Sequence, residues 1–109
     1  MILLSITELR TRSGKYRREA QQKDFAITQY NYPVAVLISA EKAKALELKR
    51  TREVSMSEFQ HQLTDFWLEF EADSLDAVFG LFRGRRAIAL IAPKFFPELE
   101  LCTAQTGTK

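Results

Sequence analysis

Five cations fall within nine residues near the start of the chain: Arg10, Arg12, Lys15, Arg17 and Arg18. At the angular step of an α-helix, Arg10, Lys15, Arg17 and Arg18 spread across one side, opposite a stripe of Leu9, Tyr16 and Ala20. Such a face suits phosphate contacts with release of counterions, and it equally suits a solvated amphipathic helix. A second basic group, Arg83-Gly84-Arg85-Arg86, lacks the pattern of a phosphate-binding loop and reads as a hairpin tip. The candidate DNA contacts are therefore Arg10, Arg12, Lys15, Arg17, Arg18, Arg83 and Arg85.

The residue types needed for catalysis do not assemble into a pattern. His61 is the only histidine, and its one acidic neighbour at helical spacing is Asp65. Cys102 is the only cysteine, so it has no internal disulfide partner and reads as a small apolar side chain. Glu69, Glu71, Asp73 and Asp76 form an acidic patch that fits a cation site or, more simply, a solvated loop. The expectation is a non-enzyme without metal or cofactor. No apolar run reaches the length of a membrane span, and Met1-Ile2-Leu3-Leu4 lacks the basic start of a signal peptide, so the chain reads as cytoplasmic.

Charge is divided unevenly along the 109 residues. Residues 1–50 hold ten Lys/Arg against five Asp/Glu, a net of +5, and residues 51–109 hold six against nine, a net of −3. Aromatics are skewed the other way, with seven of the eight Phe and Trp67 lying after position 58. Phe95 and Phe96, adjacent on a short helix, are candidate partner-binding residues. Trp67 is expected to be largely buried, either between the two halves or against the second hairpin.

The elements that would position these residues occur twice. Leu4-Ser5-Ile6-Thr7-Glu8-Leu9 aligns with Val54-Ser55-Met56-Ser57-Glu58-Phe59, and Val34-Ala35-Val36-Leu37-Ile38 aligns with Ala87-Ile88-Ala89-Leu90-Ile91. The spacing grows from 50 to 53 between these matches, which places an insertion near Ala72-Asp73-Ser74. Thr7 and Ser57 are the expected N-caps of the first helices. Hairpins should run from Phe25 to Ile38 and from Val78 to Ile91, with Asn31 and Gly84 at turns that require positive φ. The uninterrupted apolar runs should be central strands covered on both faces. Closing helices are expected over Glu41 to Arg50 and Lys94 to Leu101, followed by a polar tail from 103 to 109.

Ile6-Thr7-Glu8-Leu9-Arg10, then Ala26-Ile27-Thr28 and Pro33-Val34-Ala35-Val36-Leu37-Ile38-Ser39, resembles the DNA-binding N-terminal domain of the Phd/YefM antitoxins. Residues 56–101 resemble the same domain more distantly. The resemblance implies a β-α-β-β-α domain that dimerises and binds operator DNA, with a C-terminal segment that inhibits a partner toxin. It carries an arginine of the first helix onto Arg10, where the second half has Gln60; a basic residue of the family's hairpin falls on Gln29 and Phe82. The fold class expected is α+β, two tandem β-α-β-β-α units at 1–50 and 51–109 packed as an intramolecular pseudo-dimer. The function expected is a DNA-binding antitoxin-type autorepressor with operator DNA as partner. The alternative is a module that binds a toxin or another protein through the second unit with little DNA binding. Further homo-oligomerisation is left open.

Overall fold

A computed structural model of the chain describes residues 1–99. Strand β1 (Ile2–Ser5) leads into helices α1 (Ile6–Thr11) and α2 (Ser13–Glu19), then into the hairpin β2 (Phe25–Gln29) and β3 (Tyr32–Ser39) and the short α3 (Ala40–Ala43). The same order returns as β4 (Thr51–Ser55), α4 (Met56–His61), α5 (Leu63–Glu71), β5 (Ala77–Phe82) and β6 (Arg85–Ile91), followed by a single 3-10 turn over Pro93–Phe95. The fold is mixed α+β. All six strands join one sheet in the order β1-β2-β3-β6-β5-β4.

The register shows how closely the halves correspond. β1 runs parallel to β2, as β4 does to β5, and each hairpin carries an irregularity at the same place, between Ile27 and Thr28 and between Gly80 and Leu81. Pro33 lies beside the first of these irregularities, where the missing N–H costs the sheet least. At the centre β3 and β6 pair antiparallel, Val36 opposite Ile91, Leu37 opposite Leu90, Ile38 opposite Ala89 and Ser39 opposite Ile88. The two strands that meet are the two uninterrupted apolar runs. Their side chains alternate between two cores: Ala35, Leu37, Ile88 and Leu90 face Leu9, Phe59, Leu63 and Phe66 from the helix pairs, whereas Val36, Ile38, Ala89 and Ile91 face Ala40, Ala43 and Leu99. Covering both faces explains why these strands contain no polar alternation.

Both hairpin turns fit the expectation of positive φ. Tyr30 and Asn31 lie at φ 52° and 68°, Arg83 and Gly84 at 54° and 79°, which is the twist a two-residue hairpin turn needs. The three extra residues of the second half are accommodated partly by α5, which is nine residues long against seven in α2.

Other expectations need correction. The N-caps are Ser5 and Ser55, not Thr7 and Ser57: each Ser Oγ accepts from the backbone N–H of Glu8 or Glu58, at 3.1 and 3.2 Å. Ser5-Ile6-Thr7-Glu8 and Ser55-Met56-Ser57-Glu58 have the Ser-x-x-Glu spacing of a capping box, a signal present in the sequence. The single first helix of each unit is two helices, broken at Arg12 and Gln62, whose backbones leave the α region. The break coincides with the crossing of the two helix pairs, where Arg10 Nη2 donates to Thr64 Oγ1 at 2.9 Å and Ser13 Oγ donates to Gln60 Oε1 at 3.2 Å.

The closing helix over Glu41 to Arg50 stops at Ala43. From central β3 the chain must reach β4 on the far edge, three strand positions away. That is about 14 Å, and a helix over the seven residues 44–50 would rise only about 10 Å. An extended path is required. The second closing helix, expected over Lys94 to Leu101, is broken: a 3-10 turn at Pro93–Phe95 ends at Phe96, whose backbone leaves the helical region, and helical backbone returns only at Glu98 and Leu99. Glu100, Leu101, Cys102 and the polar tail lie outside the described residues.

Trp67 is mostly covered and lies at the contact between the two halves, one of the two places expected for it. It sits where α5 passes over the end of the β2–β3 hairpin, so one side of the indole packs on the core and the other faces a cleft. Its neighbour Phe66 is fully buried. Phe66→Ala should therefore cost about 3–5 kcal/mol and the partly exposed Trp67→Ala less, about 2–3 kcal/mol, by urea denaturation followed with circular dichroism.

Candidate nucleic-acid interface

Helix α2 extends from the first half onto the hairpin of the second. Gln21 Nε2 donates to the carbonyl of Ala87 at 2.9 Å, and the Arg17 guanidinium lies 3.6 Å from the centre of the Phe82 ring. The contact joins residues 65 apart in sequence and brings the two basic groups together. Arg83, on the same turn, approaches Phe82 from 5.1 Å. An arginine stacked on an aromatic ring keeps its edge N–H groups for other acceptors, which is the arrangement suited to phosphate oxygens.

The remaining cations divide by what holds them. Arg18 and Arg85 are exposed and make no ion pair among the described residues. Arg12 pairs loosely with Glu8 at 3.7 Å, and Lys15 with Glu19 at 3.9 Å while lying 5.2 Å from the Tyr16 ring. Solvent-exposed pairs of this kind contribute little and are readily exchanged for a phosphate. Arg10 is half-buried and committed to Thr64, which makes it a bridge between the helix pairs. Arg86 is drawn to Glu53 and lies 4.1 Å from the Phe79 ring, facing away from this group. Tyr16 donates to Glu8 at 3.0 Å; burial first, then this carboxylate, raises the phenol's pKa.

The corresponding surface on α4 and α5 is not basic. Glu58, His61, Asp65 and Glu71 are exposed there, and the His61 Nδ1 is 2.7 Å from the carbonyl of Ser57. Phe95 and Phe96 are half-buried against the cores. The exposed aromatics are Tyr30, Tyr32 and Phe82, at the two hairpin tips.

Three of the four residues of the acidic patch are held in ion pairs, and Glu71 is exposed. Glu69 accepts from Arg52 at 2.6 and 2.9 Å, and Asp73 from Lys94 at 2.7 Å and Arg50 at 3.1 Å. Asp76 is buried, and accepts from the backbone N–H of Lys49 and Arg50 at 3.0 and 3.2 Å and from the Arg50 side chain at 2.9 Å. Among the described residues no cluster of three or more His, Cys, Asp or Glu has the geometry of a metal site. No helix among them is long and apolar enough to cross a membrane.

The family model for Antitoxin Phd_YefM, type II toxin-antitoxin system, matches residues 1–73. The chain belongs to this family. The match runs from β1 through α5, past the first half and across the helices that hold Trp67. No curated protein and no solved structure matches the chain. Antitoxins of the Phd/YefM type bind cognate toxins and often operator DNA.

Asp76 fastens the connection between the halves, and its protonation should be felt in stability. Burial alone would raise its pKa, but the two backbone donors, Arg50 and Lys94 more than reverse that and hold the carboxyl well below the usual range. A depressed carboxylate contributes stability above its unfolded pKa of about 4 and loses that contribution as pH falls below it. Asp76→Ala should cost about 3 kcal/mol at pH 7, because two backbone N–H groups lose their acceptor. Asp76→Asn should flatten the loss of stability below about pH 4, as read by urea titrations at a series of pH values.

Proposed function

We propose that this antitoxin-family chain is a DNA-binding autorepressor of a toxin–antitoxin operon, and that its two halves serve within one chain as the two members of a dimer. The observation that carries the reading is the stacking of Arg17 on Phe82, which builds one basic surface from α2 of the first half and the β5–β6 tip of the second. Arg12, Lys15, Arg18, Arg83 and Arg85 extend it. Cations placed this way neutralise backbone phosphates and fix orientation on a duplex, and base-edge contacts then supply sequence preference. The tandem units 1–50 and 51–109 are the structural basis of the proposal. It is supported by the corresponding strand registers and by the symmetric pairing about Leu37 and Leu90.

Binding on this reading is lopsided. The place corresponding to Arg10 is Gln60, that of Arg17 is Trp67, and the second tip reads Tyr30-Asn31-Tyr32 in place of Arg83-Gly84-Arg85. A second role is docking of a toxin protein on α4 and α5, favoured by the family match through residue 73 and by Leu68, which is 53% exposed on α5. Co-purification with the product of a neighbouring small toxin-like gene, lost in Leu68→Glu, tests that role.

The DNA reading is tested by fluorescence anisotropy with a labelled duplex from upstream of the chain's own gene, at several salt concentrations. Arg17→Ala and Arg83→Ala should each weaken binding and reduce the magnitude of the salt slope by about one unit. Gln60→Ala should change neither. Absence of binding by the unmodified protein at low salt overturns the proposal, and equal losses from both halves would make the surface symmetric.

A further inference from the structure

The tip opposite the arginines has its own chemistry. α5 passes over the end of β2–β3 to leave a cleft of about 330 Å³, lined by Gln29, Tyr32, Pro33, Trp67, Phe70 and Glu71 among others. Its closest counterpart is the contact at the other tip. In the hairpins, Gln29 pairs with Tyr32 as Phe82 pairs with Arg85, and on the helices Trp67 stands where α2 has Arg17. At the β5–β6 tip the guanidinium of Arg17 covers the aromatic ring.

At the β2–β3 tip the rings are present without a cation. The cation–aromatic contacts among the described residues involve Tyr16, Phe79, Phe82 and Phe95, and none reaches Tyr30, Tyr32 or Trp67. Tyr30 and Tyr32 are 81% and 63% exposed. Glu71 makes no ion pair among the described residues. Aromatic faces beside a carboxylate attract a guanidinium through the ring quadrupole and a charge-assisted hydrogen bond.

The chain displays that ligand on its own surface, as Arg83 on a two-residue turn and Arg85 directly after it. Each tip precedes a central strand, β3 or β6, and those strands are antiparallel, so the tips point to opposite ends of the sheet. A molecule cannot place its own arginine tip in its own cleft. We propose that the Arg83–Arg85 tip of one molecule docks into the Tyr32–Trp67–Glu71 cleft of a second copy, joining chains head to tail. The contact is heterologous: each added copy presents a further free tip and a further free cleft, so association does not stop at two.

Trp67 is the only tryptophan and reports occupancy directly. The experiment is sedimentation equilibrium with parallel Trp emission on nuclease-treated full-length protein over a concentration series at low and high salt. The mass average should rise beyond that of a dimer at low salt with a concentration-dependent shift in Trp67 emission, and both should fade at high salt. R83E/R85E, and separately Y32S/E71R, should each weaken self-association at least about tenfold. All four positions are exposed on hairpin or helix ends, and circular dichroism confirms that each variant folds. An equimolar mixture of the two variants retains one intact tip and one intact cleft, and should form a 1:1 dimer that grows no further. The proposal is overturned if the unmodified protein stays monomeric at low salt or if R83E/R85E associates like the unmodified chain. It is equally overturned if the mixture fails to dimerise. The measurements are made without DNA, so they stand or fall separately from the DNA reading, although Arg83 and Arg85 take part in both surfaces.

Discussion

β3 and β6 meet over only four residue pairs, and this antiparallel seam makes one sheet of two three-stranded halves. Leu37 faces Leu90 at its centre, and both lie in the core shared by the four long helices. Neither half could cover this strand alone: β3 and β6 would be edge strands, apolar on both faces and open to pairing with any other chain. The seam also places α2 over the second hairpin and α5 over the first. Every contact between the halves on the helix side, Arg10 with Thr64 and Ser13 with Gln60 included, is possible because the two strands are in register.

The charge partition acquires its meaning from that arrangement. The net positive first half and net negative second half are not separate surfaces, since Arg17 from the first is seated on Phe82 of the second. Arg17 and Arg83, 66 positions apart, converge at one end of the sheet, and an aromatic and acidic cleft stands at the other. Part of the second half's acidic excess is spent on structure: Glu69 holds Arg52 on the edge strand, Glu53 holds Arg86, and Asp76 organises Lys49 and Arg50 in the connection. On β4 these charged pairs also blunt a sheet edge, a common protection against unwanted strand addition.

Asp76 shows how a connection with little secondary structure is held in place. After α3 the chain makes turns through Leu46 and then crosses β6 and β5 without regular structure, which leaves the amides of Lys49 and Arg50 without helix or sheet partners. A buried carboxylate at the start of β5 accepts both of them and an arginine from the same segment. Buried backbone donors need an acceptor, and one side chain with two oxygens serves several.

The sequence by itself determined what depends on neighbours a few residues away. Asn31 and Gly84 mark turns with positive φ, the apolar runs at 34–38 and 87–91 mark strands covered on both faces, and the hydroxyl-rich stretches 5–7 and 55–57 mark the helix starts, with the Ser-x-x-Glu spacing pointing to Ser5 and Ser55 over Thr7 and Ser57. Each is a local preference of backbone or side chain, legible in a short window. The tertiary structure decided the helix breaks at Arg12 and Gln62, the end of α3 at Ala43, the placing of Trp67 against the first hairpin and which arginines stay available at the surface. Arg10 has the residue type and helix face of a DNA contact, yet it is bonded to Thr64, 54 positions away. Arg17 faces the opposite case: nothing near it in sequence foretells Phe82. A pairing between distant residues depends on strand register and on the path of the connection, and no local pattern of residues encodes either.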